Sequence, residues 1–234
     1  MSAPQTPPAR KRITLLALCL AAFIISLDVT IVNVALPALV RQTGATTTDL
    51  QWVVDAYNLV FAALVLAAGS MSDRLGRKGM MLAGLGVFGA ASLAGSLAGS
   101  TGQLIGARAV MGLGAAMIFP ATLSLLTNVF TGRSERAAAI GLWGATSGVG
   151  IAAGPIVGGW LLEHYWWGSV FVFMVPVAGV VAALAAWAVP ASRDPRPRHC
   201  ETIWPRSQGR LAIRHRARAA SGAARTGRRG PTRW

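Results

Sequence analysis

Six long apolar segments alternate with short polar gaps along the chain, at about Ile13–Leu36, Trp52–Met71, Gly79–Gly99, Leu104–Asn128, Ala137–Leu162 and Gly168–Val189. A stretch of about 20 apolar residues is long enough to cross a bilayer as a helix. Helix is the favoured form there because lipid offers no hydrogen-bond partner to a free backbone group. The pattern predicts an all-α membrane protein, a six-transmembrane-helix bundle over residues 13–190. A cytoplasmic segment over 1–12 precedes it, and a basic, disordered tail over 191–234 follows. Connections of roughly 3 to 15 residues predict an antiparallel bundle in which neighbours in sequence are neighbours in space.

Charge orients the spans. Arg10, Lys11 and Arg12 precede the first, Arg74, Arg77 and Lys78 follow the second, and Arg133 and Arg136 follow the fourth. The alternate gaps hold Arg41 with Asp49, then no charge, then Glu163 with His164. Basic residues stay on the cytoplasmic side, so both termini are expected there, in a multi-pass protein of the plasma membrane. Composition agrees, since only 13% of the 234 residues are charged and 53% are hydrophobic, with a mean hydropathy of +0.52. The net charge of +14 belongs mostly to the end of the chain. Residues 191–234 carry 12 Arg, no Lys and two acids, or +10, leaving +4 for the rest. Nucleic acid is therefore not expected as a partner of the bundle. Cys19 and Cys200 make no disulfide framework. The basic start before the first span mimics a signal peptide, but without a small-residue cleavage site it reads as an uncleaved first helix.

From His199 onward there is no apolar run and no helical period. Arginine without lysine, amid Ala, Gly and Trp, is what a GC-rich coding sequence yields in a shifted frame. The expectation is a truncated or frame-shifted product of a longer protein with more helices. A polybasic tail that binds anionic lipid or nucleic acid is the rival reading.

The polar residues within the spans carry the candidate chemistry. Asp28 sits in LDVTIVNVALP of the first span, with Thr30 and Asn33 beyond it. An ionisable group near mid-membrane costs about 2.5–3.5 kcal/mol on insertion scales, which predicts that Asp28 faces the bundle interior. Asp55 lies near the outer end of the second span, beside Trp52 and Tyr57, where the cost is lower. The fourth span carries LIGARAVMGLGAAMIFP, where Arg108 is a buried or cavity-facing cation and small residues allow close helix packing. In the fifth, GATSGVGIAAGPIVGG offers the pairs Gly144/Gly148, Gly150/Gly154 and Gly154/Gly158, with Pro155 to bend the helix. Between the second and third spans, GSMSDRLGRKGMM reads as a compact loop, punctuated by Gly69, Gly76 and Gly79. Gly69 allows close backbone approach, Gly76 a tight reversal, and Asp73 is placed to meet an Arg or a helix N-terminus. No nucleotide-binding loop, metal cluster or nucleophile constellation occurs in the sequence, so the chain is not read as an enzyme, and no cofactor is expected.

The spacing G-x-x-x-D-R-x-G-R-K at Gly69–Lys78 resembles the signature loop of the major facilitator superfamily. Arg108 with Gly112, Gly114, Ala115 and Ala116 resembles its fourth-helix motif, and Gly150-x-x-x-Gly154-Pro155-x-x-Gly158-Gly159 its antiporter motif. The first-helix motif and the W-V-V-x-A-Y opening of the second resemble the fourteen-helix subgroup of the drug:proton antiporter branch. The sixth-span opening WWGSVFVFMVPV is similar too, except that Met174 stands where relatives commonly have Asn. The resemblance covers roughly Arg10–Arg198 and implies the N-terminal half of a major facilitator fold.

Such proteins export small, often amphiphilic or cationic molecules in exchange for protons, by alternating access and without ATP. By resemblance, Asp28, Arg108 and Asp55 serve proton coupling. The gating loop is Gly69, Asp73, Arg74, Gly76, Arg77 and Lys78; the antiporter motif is Gly150, Gly154, Pro155, Gly158 and Gly159. Asn33 and Gly112 lie along the substrate path. The implied partners are a small-molecule substrate, the lipid bilayer, and a missing C-terminal half or a second copy. The half is expected to be inactive alone. A homodimerising half-transporter and a non-transporting membrane protein with a partner-binding tail remain as alternatives.

Overall fold

Every regular element among the described residues is an α-helix, because each apolar segment must satisfy its backbone internally. The computed structural model describes residues 8–189. The expectations for the tail, the shifted frame and Cys200 lie outside them. The helices are α1 (Pro8–Thr43), α2 (Thr47–Leu75), α3 (Arg77–Ser96), α4 (Thr101–Val129), α5 (Arg133–His164) and α6 (Ser169–Ala188). The shortest have 20 residues, or about 30 Å at 1.5 Å per residue, the thickness of a bilayer core. All six are long and apolar enough to span, so the described residues form a six-helix, multi-pass membrane bundle.

The helix ends are written locally. Thr46 accepts from the Asp49 amide while Asp49 accepts from the Thr46 amide, a reciprocal cap that starts α2. Ser100 caps α4 through the Gln103 amide. The gap at Gly69–Met81 differs from its reading as a loop. Gly69–Leu75 continue α2, Arg77–Met81 already belong to α3, and Gly76 alone lies between them. Its φ of +107° is open to glycine and strained for other residues, so one residue reverses the chain. Gly69 is not a site of forced approach either, since a Cβ there would meet Pro120 at an ordinary 3.6 Å.

Neighbours in sequence are mostly not neighbours in space, contrary to expectation. Only α3 and α4 pack extensively among consecutive helices, while α1/α2, α2/α3, α4/α5 and α5/α6 barely touch. The large seams are α1–α5, α3–α4, α2–α4, α3–α6 and α1–α6. A short connection ties two helices at one end only. Lipid is as apolar as the helix surfaces, so contact along their length is chosen by small residues and polar ties.

Constant sequence offsets show which seams are parallel. Lys11 pairs with Glu135, 124 residues on, and the same offset faces Ser26 with Gly150 and Thr30 with Gly154. On the other seam Val53 meets Arg108, 55 residues on, and Tyr57 meets Gly112. The arrangement has an approximate internal two-fold in which α1–α3 correspond to α4–α6. The α1–α5 seam answers to α4–α2, and α1–α6 to α4–α3. This places α1 and α4 against each other at the centre.

One end of the bundle gathers the basic residues. Arg10 and Thr14 bond the Ala188 carbonyl at 3.2 and 2.9 Å, and Lys78 the Ala186 carbonyl at 2.6 Å. Lys11 reaches Glu135 at 3.3 Å. These bonds bring the starts of α1, α3 and α5 and the end of α6 together.

Candidate functional site

The central contact holds the bundle's buried ion pair. Arg108 Nη1 of α4 donates to Asp28 Oδ2 of α1 at 2.7 Å, and both side chains are out of contact with the surroundings. Arg108 Nε donates to the Val53 carbonyl of α2 at 3.1 Å. The guanidinium carbon lies 4.3 Å from the centre of the Tyr57 ring, also on α2. One cation thus joins three helices through a carboxylate, a carbonyl and an aromatic face. Arg suits this place because its planar fork can serve several partners at once and stack on a ring.

Local sequence explains the convergence. Val53 and Tyr57 are four apart and share one face of α2. Gly112, four residues after Arg108, lets that face close in, since a Cβ there would stand 2.5 Å from the Tyr57 carbonyl oxygen. Gly114 performs the same task toward α3, where a Cβ would lie 2.8 Å from the Phe88 amide nitrogen. The fourth-helix motif therefore fits α4 between α2 and α3 while holding Arg108 against α1. Gly112 is consequently buried here and packs the α2–α4 seam.

Asp28 Oδ1 and the Tyr57 hydroxyl are buried without a hydrogen-bond partner among the described residues. The carboxylate thus has one oxygen committed to Arg108 and one uncommitted, and a proton on Asp28 would remove the charge that holds Arg108. Arg108 would still keep the Val53 carbonyl and the Tyr57 ring.

An aromatic row leads away from the pair. Tyr57 stacks parallel to Phe61 with ring centres 6.4 Å apart. Phe61 meets Phe119 edge-on at 5.8 Å, and Phe119 meets Trp143 of α5 at 5.2 Å. Neither the Tyr57 contact nor this row was read from the sequence. The recoverable signal was the four-residue spacings Val53/Tyr57 and Tyr57/Phe61, which put all three on one helix face.

The other candidates lie apart. Asp55 is exposed on α2 and takes no part in the ion pair. Asn33 is exposed on α1 and donates to the Val29 carbonyl of its own helix at 3.1 Å. Asp73 is exposed and bridges Arg77 at 2.8 Å, within the helix–glycine–helix turn, while Arg74 is exposed nearby. On α5, Gly150, Gly154 and Gly158 face α1. A Cβ at Gly154 would overlap Thr30 Oγ1, and one at Gly150 would come 2.8 Å from the Phe23 carbonyl. Gly144, Gly148 and Gly159 have nothing close, so the Gly144/Gly148 pair is not a packing face here. Pro155 sits on the exposed side of the same helix. Met174, the departure in α6, is fully buried in the core. No cluster of three or more potential metal ligands occurs among the described residues.

Comparison with known proteins places these features in a family. A sequence model described as Major Facilitator Superfamily matches residues 18–217. The chain is 43% identical over 190 residues to the multidrug efflux pump LfrA of Mycolicibacterium smegmatis, and 40% over 190 residues to the methyl viologen resistance protein SmvA of Salmonella typhimurium. These alignments cover 81% and 80% of this chain but 38% of each relative, so the chain spans well under half their length. A solved bacterial homologue of the human lysosomal transporter Spinster, in an inward-facing and unoccupied conformation, superposes with a TM-score of 0.63 at 21% identity. That match covers 83% of this chain and 47% of the other, and concerns the fold.

Proposed function

The chain belongs to the Major Facilitator Superfamily, and from that premise we propose that its six helices are the N-terminal half of a proton-coupled exporter of small, drug-like molecules. The observation that carries this reading is the buried Asp28–Arg108 pair at the contact of α1 and α4. A paired charge with one uncommitted carboxylate oxygen, held inside a membrane bundle, is the element a proton-driven cycle needs. Protonation of Asp28 weakens the tie between α1 and α4, and deprotonation restores it. The change in helix contacts is the means by which a proton gradient drives alternating access. The similarity to pumps for multidrug efflux and methyl viologen resistance supports amphiphilic or cationic cargo.

In this reading the basic end faces the cytoplasm of a plasma-membrane protein and both termini lie on that side. The two least buried helices, α2 and α5, carry exposed Leu59, Leu66, Ile151 and Ile156. They fit a bundle that works against a second half or a second copy. With a single half, the substrate path has one wall, and the 234-residue chain alone is inactive.

Inverted membrane vesicles provide the test. The chain alone is expected to show no proton-driven efflux of a dye cation, whereas a version continued by a second six-helix half exports it. Asp28→Asn in the continued version abolishes proton-driven export while leaving the protein in the membrane. Normal export by that variant overturns the coupling assignment. Saturable export by the chain alone, with a cross-linked dimer, would favour the homodimeric half-transporter.

A further inference from the structure

We propose that the cleft between the start of α1 and the end of α6 is a headgroup site for an anionic phospholipid. The cleft has a volume of about 460 Å³ and is lined by Ala9, Arg10 and Ile13 of α1 and by Trp187 and Ala188 of α6. Its position follows from the antiparallel α1–α6 seam, which brings a basic helix start beside an aromatic helix end. Arg10 is anchored there through Nε, which donates to the Ala188 carbonyl at 3.2 Å. Among the described residues that bond leaves the terminal nitrogens of the guanidinium fork as donors, a pair that suits two phosphate oxygens.

Three further features point to a lipid. Trp187 is 70% exposed at the helix end, where an indole sits at the depth of the headgroups. Below the cleft the same two helices expose Leu16 and Val180, an apolar track for acyl chains. Around it several of the other basic side chains at this end are engaged differently. Lys11 pairs with Glu135, Arg77 with Asp73, and Lys78 and Arg136 bond carbonyls of Ala186 and Phe130. Arg10 combines a basic fork, a bordering indole and an apolar floor in one cleft. Charge complementarity favours an anionic headgroup such as phosphatidylglycerol over a zwitterionic one, whose ammonium would face the guanidinium.

Membrane vesicles holding the full chain, loaded with photoactivatable phosphatidylglycerol or phosphatidylcholine of identical acyl chains, test the site. Cross-linked peptides are mapped by mass. Phosphatidylglycerol adducts are expected on the peptides around Arg10 and Trp187, in clear excess over phosphatidylcholine. Arg10→Gln should lower that adduct about fivefold, the effect of one basic residue at a lipid surface. Arg10→Lys should lower it less, because charge is kept and the fork lost. Arg133→Gln, which removes an exposed charge from the same end, should leave the adduct unchanged. Equal labelling by both lipids overturns the proposal, as does an equal loss in Arg133→Gln. If Arg10→Gln does not reach the membrane, Trp187→Ala carries the test, and undiminished phosphatidylglycerol labelling there overturns it.

Discussion

The α1–α5 and α2–α4 seams occupy corresponding places in the internal two-fold, and both run parallel, yet they are held by different physics. The α1–α5 seam is closed by shape along its length, with the partly exposed Lys11–Glu135 pair at one end. Three glycines at four-residue spacing let α5 lie against the backbone of α1, and among the described residues no buried charge crosses it. The α2–α4 seam also has a glycine, Gly112, but Arg108 is bonded across it to Val53 and packed on Tyr57. That same guanidinium is shared with Asp28 of α1, so the second seam includes a buried ion pair and the first does not. A glycine-packed seam answers to volume, and an ion-paired seam answers to charge. One bundle therefore holds a glycine-packed contact on one side of α1 and an ion-paired one on the other.

The largest break is expected at the ion pair. Arg108→Ala leaves Asp28 buried without its partner and should cost about 3–5 kcal/mol, the usual effect of stripping one member from a buried pair. Asp28→Asn should cost less, because Arg108 keeps the Val53 carbonyl and the Tyr57 ring. Thermal unfolding in detergent of both variants and the double variant measures the coupling. Equal losses that add in the double variant would show that the pair does not act as a unit.

A break of the other seam is next in size. Gly154→Val places new atoms on Thr30 and the Ile31 backbone and should cost about 1–3 kcal/mol, as overpacking does. Gly148→Val, on the same helix with nothing near its added Cβ, should be tolerated within about 0.5 kcal/mol. Midpoints from the same unfolding assay separate the two, and equal loss would mean that both valines act through helix propensity. The smallest effect sharpens the account of Arg108. Tyr57→Leu should lose the cation–π contact, about 0.5–2 kcal/mol, while Tyr57→Phe, which keeps the ring and drops an unpartnered hydroxyl, should stay near wild type. A Phe variant as weak as the Leu variant would show that the hydroxyl, not the ring, matters.

The spans, their number and the interior placement of Asp28 were legible in the chain. Each follows from a local rule: apolar length against bilayer thickness, and the cost of a charge in lipid. The details of the α2–α4 and α1–α5 seams were not legible. The packing of Gly112 on Tyr57 was not legible, because what a glycine meets is set by a helix 55 residues away in sequence. Gly144/Gly148 and Gly150/Gly154 are the same pattern in sequence, but only the second pair faces α1. Gly69–Met81 read as a loop because charges and glycines break an apolar run, yet a helix end carries such residues readily once it leaves the hydrocarbon. The turn needed one glycine.

The sequence by itself determined six helices and the end of the bundle at which basic charge collects, since these depend on residues near one another and on the membrane as solvent. Only the tertiary structure decided which helices touch. Apolar surfaces in lipid have little preference among neighbours, so the choice falls to a few close approaches and one shared cation. Those features act between residues 55, 80 and 124 positions apart, a range at which sequence order carries no distance information.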